Sequence, residues 1–418
     1  MYTSCMQERS QTLLPLSLYV PEPAARPGEP SRFDDMEIPP AGSVRQPHFL
    51  DSEATLRDMP YTLVRVLDDN NMATQRWDPC LPSATLREGL QAMVLTRSFD
   101  DRLFRAHRQG KTSFYMKSTG EEAIGAAQSL ALNPGDMCFP TYRVMSWLHA
   151  RKYPLDLMLN QIFSNEKDPL KGRQLPILFS ARNYDFYSLS GNVGSRFGHA
   201  VGWAMASAYK GDSKISLAYI GDGTTAEGDF HEALTFATVY RAPVILCVTN
   251  NQWAISSFSG FAGGQATTFA AKALAYGLPG LRVDGNDFLA IWAATRWAAN
   301  RARANGGATL IEFVTYRAAG HSTSDDPTKY RPADEAGHWP LGDPIERLKQ
   351  HLITIGEWDE DRHRLLVNST DQQVKAALKA AEAIGTLGKS KPSFREMFEG
   401  VFKEPDWRLI EQRRELGI

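Results

Sequence analysis

This chain carries a glycine-rich turn directly after an apolar segment, and the pair recurs in a form that leaves few possible folds. Gly221-Asp222-Gly223 follows Ile215–Ile220, and Asn250-Asn251 follows the next apolar segment, Val244–Val248. The residues between, Phe230–Tyr240, have the spacing of a helix. A strand, a helix and a second strand in this order form a parallel pair, so both polar turns are expected at the carboxyl ends of adjacent strands. Ligands of open parallel sheets bind at those ends.

The residue types in these two turns suit a phosphate and a divalent cation. Gly221 and Gly223 allow a tight turn and a close approach of the backbone to a ligand. The amides after Gly223 open a helix, and a helix N-terminus binds phosphate well. Asp222 and Asn251 supply the hard oxygens that magnesium prefers. A nicotinamide dinucleotide site is disfavoured, because no GxGxxG turn is followed by an acid on the second strand.

Helical and strand patterns continue to alternate along the middle of the chain. Ala200–Tyr209 and Asp287–Ala304 are predicted helices, and Thr309–Thr315 is a further predicted strand. The pattern predicts an α/β fold, a parallel sheet flanked by helices. An earlier helix is predicted to begin with Ser83 as its N-cap.

The two ends of the chain differ from this middle part. Residues 1–75 are rich in proline, which breaks helices, and are predicted to form an N-terminal arm. Residues 76–345 are predicted to form the α/β core. Residues 346–418 are predicted to be a helical C-terminal segment, with helical patterns at Ile345–Ile355, Gln372–Ile384 and Trp407–Arg414.

Composition excludes several classes of partner. The net charge is −2 and no block of Lys and Arg occurs, so neither nucleic acid nor an anionic membrane is implied. No apolar run is long enough to cross a bilayer. The four cysteines, Cys5, Cys80, Cys138 and Cys247, form no CxxC pair and are expected to be reduced thiols. The acidic residues near the N-terminus argue against a mitochondrial transit peptide, and a cytoplasmic location is expected.

Several longer stretches carry a resemblance to a known family. From about Leu81 to Pro344 the chain resembles the alpha subunits of 2-oxo acid dehydrogenases, which belong to the transketolase-like superfamily of thiamine-diphosphate enzymes. The stretches that carry it are Ser113-Phe114-Tyr115-Met116, Gly120-Glu121-Glu122, Tyr142-Arg143, Gly221-Asp222-Gly223, Asn250-Asn251-Gln252-Trp253-Ala254-Ile255-Ser256 and His321-Ser322-Thr323-Ser324-Asp325-Asp326.

The resemblance implies a site for thiamine diphosphate and Mg²⁺. Asp222 and Asn251 would bind magnesium through their side chains, and Trp253 through its backbone carbonyl. The implied cofactor contacts are backbone amides of Gly223 and Thr224 to the diphosphate, Tyr142 and Arg143 to phosphate oxygens, backbone atoms of Gly191 and Val193 to the aminopyrimidine, and His321 over the diphosphate. His321 is also the implied catalytic residue, as a proton donor.

Three other observations belong beside these implied roles. Relatives often have an arginine just before the double asparagine, where this chain has Thr249. Branched-chain relatives hold a potassium ion in a loop that corresponds here to Ser190, Asn192, Ser195 and Arg196. Because a cation at the last position would repel a metal ion, no potassium is expected. Glu121 and Glu122 are interpreted as acids that favour a helix N-terminus rather than as catalysts.

The implied reaction is oxidative decarboxylation of a 2-oxo acid and transfer of the acyl group to the lipoyl arm of a partner acyltransferase. A beta subunit would supply the acid at the aminopyrimidine N1′, within an α2β2 heterotetramer. His321-Ser322-Thr323-Ser324-Asp325-Asp326 followed by Tyr330-Arg331 favours branched-chain substrates. The alternatives are a pyruvate dehydrogenase alpha subunit and a non-catalytic, cofactor-holding scaffold subunit. Four residues speak against the scaffold: Asp222, Asn251, Arg143 and His321.

Overall fold

The computed structural model describes residues 16–34, 36–386 and 393–418. Cys5 and the first residues of the predicted arm lie outside these ranges. Seven strands are present in the described part of the chain: β1 Met137–Phe139, β2 Ser216–Gly221, β3 Val244–Asn250, β4 Trp253–Ala254, β5 Ser257–Phe258, β6 Gly280–Asp284 and β7 Thr309–Val314.

Five of these strands form one parallel sheet in the order β1-β2-β3-β7-β6, and β4 pairs with β5 in a small antiparallel ribbon. The register places Gly221 opposite Thr249 and Asn250 opposite Val314, so β2, β3 and β7 end at the same edge. This confirms the predicted class, a parallel sheet flanked by helices. The predicted strands at Ile215–Ile220 and Val244–Val248 are confirmed to within two residues.

The helices cover both faces of the sheet. They are α1 Ser83–Arg108, α2 Glu122–Ala131, α3 Met145–Ala150, α4 Leu155–Phe163, α5 Ser195–Lys210, α6 Gly228–Val239, α7 Phe288–Arg303, α8 Pro344–Thr354, α9 Glu360–Ile384 and α10 Trp407–Glu415. Short 3₁₀ helices occur between them, among them Gly223–Ala226 and Ser259–Ala262.

Alternate residues of the central strands enter two separate cores. Leu217 and Tyr219 of β2 join a large cluster on the side of α1, α2 and α7. Ala218 and Ile220 point to the opposite face and join a smaller cluster under α5 and α6. Both faces of the strands are therefore buried, which explains why β2 and β3 are nearly continuous apolar runs.

Two local predictions about helices need correction. Ser83 is the first residue of α1 and not its N-cap; the capping position is Pro82, and no side chain makes a capping hydrogen bond there. The helix predicted at Gln372–Ile384 begins at Glu360 instead. Asp359 caps it by accepting a hydrogen bond from the Arg362 amide. The first turns of this helix have weak apolar periodicity, so the sequence pattern did not predict them.

The described part of the predicted arm is tied to the sheet. Val64 lies beside Val283 of β6 in a parallel bridge, and residues 63, 64, 66 and 67 are fully buried. The amides of Val66 and Leu67 both donate to Asp287 Oδ2. The division into arm, core and C-terminal segment stays a prediction. Within the described residues, no helix combines the length and the apolar character needed to span a bilayer.

Candidate cofactor site

A cavity of about 540 Å³ opens at the carboxyl ends of β2 and β3. The structure brings every residue of the predicted site to this one cavity, and all of them line it: Tyr142, Arg143, Gly191, Val193, Asp222, Gly223, Thr224, Asn251, Trp253 and His321. They come from five separate stretches of the chain, which the parallel sheet brings together at one edge. Their individual roles stay predictions.

Asp222 follows β2 and is 1% exposed. Its Oδ1 accepts a hydrogen bond of 2.7 Å from the Gly223 amide. Its Oδ2 is buried, and within the described residues it has no hydrogen-bond partner. Burial raises the pKa of this carboxyl to about 7. A buried carboxylate oxygen without a partner is costly unless a cation binds it, so this atom fits a divalent metal ion.

Asn251 follows β3 and is held in one orientation. Its Nδ2 donates to Glu121 Oε1 at 2.8 Å, while its Oδ1 accepts only a long contact of 3.3 Å from the Trp253 amide. The amide oxygen therefore keeps a lone pair for a ligand. The preceding Asn250 is turned away, because its side chain donates to Glu312 of β7.

Trp253 has its carbonyl oxygen in a hydrogen bond of 3.0 Å from Arg317 Nη1. Arg317 is 1% exposed and also lines the cavity. A carbonyl oxygen has two lone pairs, so the contact with Arg317 leaves one for a metal ion. Within the described chain no three His, Cys, Asp or Glu side chains cluster as metal ligands, and the donor set here is instead carboxylate, amide and carbonyl.

Glu121 is the site residue that the sequence reasoning missed. It occupies the N-cap position of α2, as a helix-start acid should, but its side chain makes no capping hydrogen bond. It accepts from Asn251 and lies 3.7 Å from Arg143 Nε. Burial raises its pKa, and the charge of Arg143 opposes that rise. The sequence gives only an indirect signal for this role, since Gly120-Glu121-Glu122 is among the stretches that carry the resemblance.

His321 is fixed by Arg143. Arg143 Nη2 donates to the His321 carbonyl at 2.7 Å and lies 3.3 Å from His321 Nδ1. A guanidinium can only donate, so Nδ1 accepts and the neutral ring carries its proton on Nε2. Burial, together with the charges of Arg143 and Arg317, lowers the pKa of His321 to about 3. The ring therefore stays neutral at physiological pH and can donate from Nε2.

Gly223 permits a close approach that no other residue would allow. A Cβ at this position would lie 2.5 Å from the Cβ of Ala254. The 3₁₀ turn Gly223–Ala226 starts here, and α6 begins at Gly228. The resemblance implies a contact between the Gly223 amide and the diphosphate; in this structure that amide donates to Asp222.

The fold and the polar cavity agree with the family that the sequence matches. Residues 90–389 match the family described as dehydrogenase E1 component, and the chain belongs to that family. Its members depend on thiamine diphosphate. The unpartnered oxygen of Asp222, the free lone pair of Asn251 and the close backbone turn at Gly223 fit that cofactor with its metal ion.

Within this family the chain is similar to one particular kind of subunit. Residues 14–51 match the N-terminal region of 2-oxoisovalerate dehydrogenase E1 alpha subunits. The chain is 55% identical to the 2-oxoisovalerate dehydrogenase subunit alpha of Pseudomonas aeruginosa, over 97% of this chain and 99% of that protein. It is 35% identical to the mitochondrial subunit of Mus musculus, over 85% and 79%. It is 36% identical to subunit alpha 1 of Arabidopsis thaliana, over 88% and 76%.

Proposed function

We propose that this chain is the alpha subunit of a decarboxylase that acts on branched-chain 2-oxo acids and passes the acyl group to a lipoyl-bearing acyltransferase. The observation that carries the proposal is the pairing, at two adjacent strand ends, of the unpartnered Asp222 Oδ2 with the oriented amide of Asn251. The near full-length similarity to 2-oxoisovalerate dehydrogenase alpha subunits supports the substrate class.

The cavity residues divide into a metal-binding group and a cofactor-binding group. Asp222, Asn251 and the Trp253 carbonyl would hold Mg²⁺. Tyr142, Arg143, Gly223 and Thr224 would hold the diphosphate, and Gly191 and Val193 would contact the aminopyrimidine. When bound, thiamine diphosphate supplies the carbanion and the electron sink for decarboxylation. The chain contributes binding, orientation and a hydrogen-bond donor.

His321 is proposed as the proton donor at the mouth of the cavity. Its neutral ring presents the Nε2 proton, and the hydrogen bonds from Arg143 fix its orientation. Replacing His321 with Ala should leave the cofactor dissociation constant within about twofold and lower turnover by about 100-fold, the range for loss of one hydrogen-bond donor to developing negative charge. His338→Ala, at an exposed position, is the control. Equal turnover of the two variants would exclude the role.

The site is proposed to be completed by a beta subunit. Ile255 and Phe261 line the cavity, yet they are 57% and 61% exposed. Large apolar side chains at the rim of a polar site favour a cover by another protein surface. Three acids line the cavity, Glu121, Asp222 and Glu227. Glu121 accepts from Asn251, and Asp222 is the proposed metal ligand. The resemblance places the acid for the aminopyrimidine N1′ on the beta subunit, so it would come from the partner.

The test is co-purification of this chain with its beta subunit, followed by turnover of 2-oxoisovalerate and of pyruvate with thiamine diphosphate and Mg²⁺. The alpha chain alone should be inactive, and the α2β2 assembly should prefer 2-oxoisovalerate. Faster turnover of pyruvate would overturn the substrate class. Normal turnover by the isolated alpha chain would overturn the need for a beta subunit, and an assembly that binds cofactor without turnover would indicate a scaffold.

A further inference from the structure

Arg196 lies next to the loop that borders the cavity at Gly191 and Val193, and it also lines the cavity. It is the second residue of α5 and is 3% exposed. Its Nη1 donates to the Val193 carbonyl at 3.2 Å, and its Nη2 donates to the Ser190 carbonyl at 2.9 Å. One guanidinium therefore fixes the backbone at both ends of the short segment that faces the cavity.

The same loop is closed by a second set of hydrogen bonds. Ser195 Oγ donates to the Asn192 carbonyl at 2.9 Å and lies 3.2 Å from Ser190 Oγ. Carbonyl and hydroxyl oxygens thus converge on one small region at the start of α5. Such a set of oxygens binds a monovalent cation when no protein cation is present. Here the guanidinium of Arg196 is at that place.

The position of Arg196 is unfavourable for a cation in two ways. In the described part of the chain it forms no ion pair with a carboxylate within salt-bridge distance, and its Nε has no partner. Burial lowers its pKa to about 10, and the more distant charge of Glu227 opposes this only in part. It also lies in the first turn of α5, where the helix dipole repels positive charge. Arg347, in contrast, is buried beside Asp284 at 2.6 Å. A buried arginine without such a partner needs a compensating role.

We propose that Arg196 is a positioning residue that acts as a tethered cation: it sets the backbone of Gly191 and Val193 for the aminopyrimidine in place of a soluble monovalent cation. This inference rests on the proposed function, because it assumes that these backbone atoms contact the cofactor. Cofactor binding by the native chain should therefore be independent of potassium.

The experiment is calorimetric titration of the α2β2 assembly with thiamine diphosphate at saturating Mg²⁺. With the native alpha chain, exchange of potassium for tetramethylammonium, which is too large for the loop, should change the dissociation constant by less than about twofold. Arg196→Ala should weaken cofactor binding by about tenfold or more, as loss of a supporting contact does at other cofactor sites. Millimolar guanidinium or potassium should restore part of that loss, and Arg196→Lys should lose less than Arg196→Ala.

Arg301→Ala is the matched control. Arg301 is also a largely buried arginine, and it donates to the carbonyls of Phe49 and Asp51 in a loop away from the cavity. Its replacement should lower the unfolding temperature without changing cofactor affinity and without rescue by added cations.

Three results would overturn the role of Arg196. They are a potassium requirement in the native assembly, unchanged affinity in Arg196→Ala, and an equal loss in Arg196→Ala and Arg196→Lys with no rescue by either cation. If Arg196→Ala does not assemble, Arg196→Lys is compared with the native chain in the two salts. A cofactor affinity of Arg196→Lys that is below the native value and that potassium improves supports the role. Native cofactor affinity of Arg196→Lys in both salts overturns it. Absence of any cofactor binding by the native assembly would instead overturn the proposed function.

Discussion

Two turns at the same edge of the sheet use similar residues for different purposes. After β2, Asp222 stands between two glycines; at the end of β6, Asp284 is followed by Gly285, Asn286 and Asp287. All three aspartates are almost completely buried. At β6 every carboxylate oxygen has a partner, whereas at β2 one oxygen has none within the described chain.

The difference lies in how the hydrogen bonds are satisfied. Asp287 Oδ1 accepts from the amides of Leu289 and Ala290, and its Oδ2 accepts from those of Val66 and Leu67. This aspartate caps α7 and fixes residues 66 and 67 to it. A saturated buried carboxylate stabilises the fold, and an unsaturated one at a cavity is available to a ligand.

The largest effect is expected from Asp222→Ala at the unsaturated turn. It should abolish Mg²⁺-dependent binding of thiamine diphosphate, because the proposed metal site would lose the one carboxylate ligand that the described chain gives it. The unfolding temperature of the cofactor-free assembly should not fall, because the Asp222 side chain accepts a hydrogen bond only from the Gly223 amide within the described chain. Calorimetric titration and thermal unfolding measure the two quantities. The control is Asp361→Ala, which replaces an exposed acid on α9. If Asp222→Ala kept native cofactor affinity, the turn after β2 would not differ from the turn after β6 in binding a ligand.

The opposite pattern is expected from Asp287→Ala at the saturated turn. Four backbone amides would lose their acceptor, including two at the start of α7, and the free energy of unfolding should fall by roughly 3 kcal/mol. Cofactor affinity of the folded fraction should stay native. Urea unfolding of the assembly measures the first quantity, and titration of the same sample measures the second. A large loss of cofactor affinity would show that both turns serve the site.

The sequence predicted the parallel sheet because β2 and β3 are apolar on both faces, and their length and spacing leave few other folds. It also placed Asp222 and Asn251 together, since both follow predicted strands. It did not predict β1 or β6: β1 has three residues, and β6 contains a glycine and an arginine. Short strands of this kind depend on neighbours that are distant in the chain.

The same limit applies to Glu121 and Asp287. A glutamate before a helix is explained well by the helix alone, so nothing local in the sequence indicates that Glu121 turns toward Asn251, 130 residues away. Likewise, the residues after β6 form a glycine-, asparagine- and aspartate-containing turn much like those of a ligand site. Only the partners of each oxygen, which depend on the tertiary structure, separate the two.

A smaller effect is expected from replacing Glu121, which orients Asn251 by accepting a hydrogen bond from its side-chain amide. Glu121→Ala would leave the Asn251 amide without its acceptor, free to turn its nitrogen toward the metal ion. Magnesium affinity should fall by about tenfold, the lower end of the range for outer contacts at metal sites. Glu121→Gln keeps an acceptor oxygen and should lose about threefold or less. Magnesium titration in the presence of cofactor distinguishes them, and equal losses would assign the effect to charge instead of orientation.

The smallest expected effect concerns the protonation of His321. Its pKa in the cofactor-free folded chain is about 3, against 6.5 for the ordinary side chain, chiefly because of burial and then because of Arg143 and Arg317. As the pH falls from 6.5 toward 3, the unfolded chain binds a proton at this ring that the folded chain does not, so stability decreases over that window. The ring resonances of His321, assigned by comparison with His321→Gln, should not titrate between pH 8 and about 5. Titration of His321 near pH 6.5 would show that the ring is not buried beside Arg143 and Arg317. The proposal that a neutral ring donates from Nε2 would then be wrong.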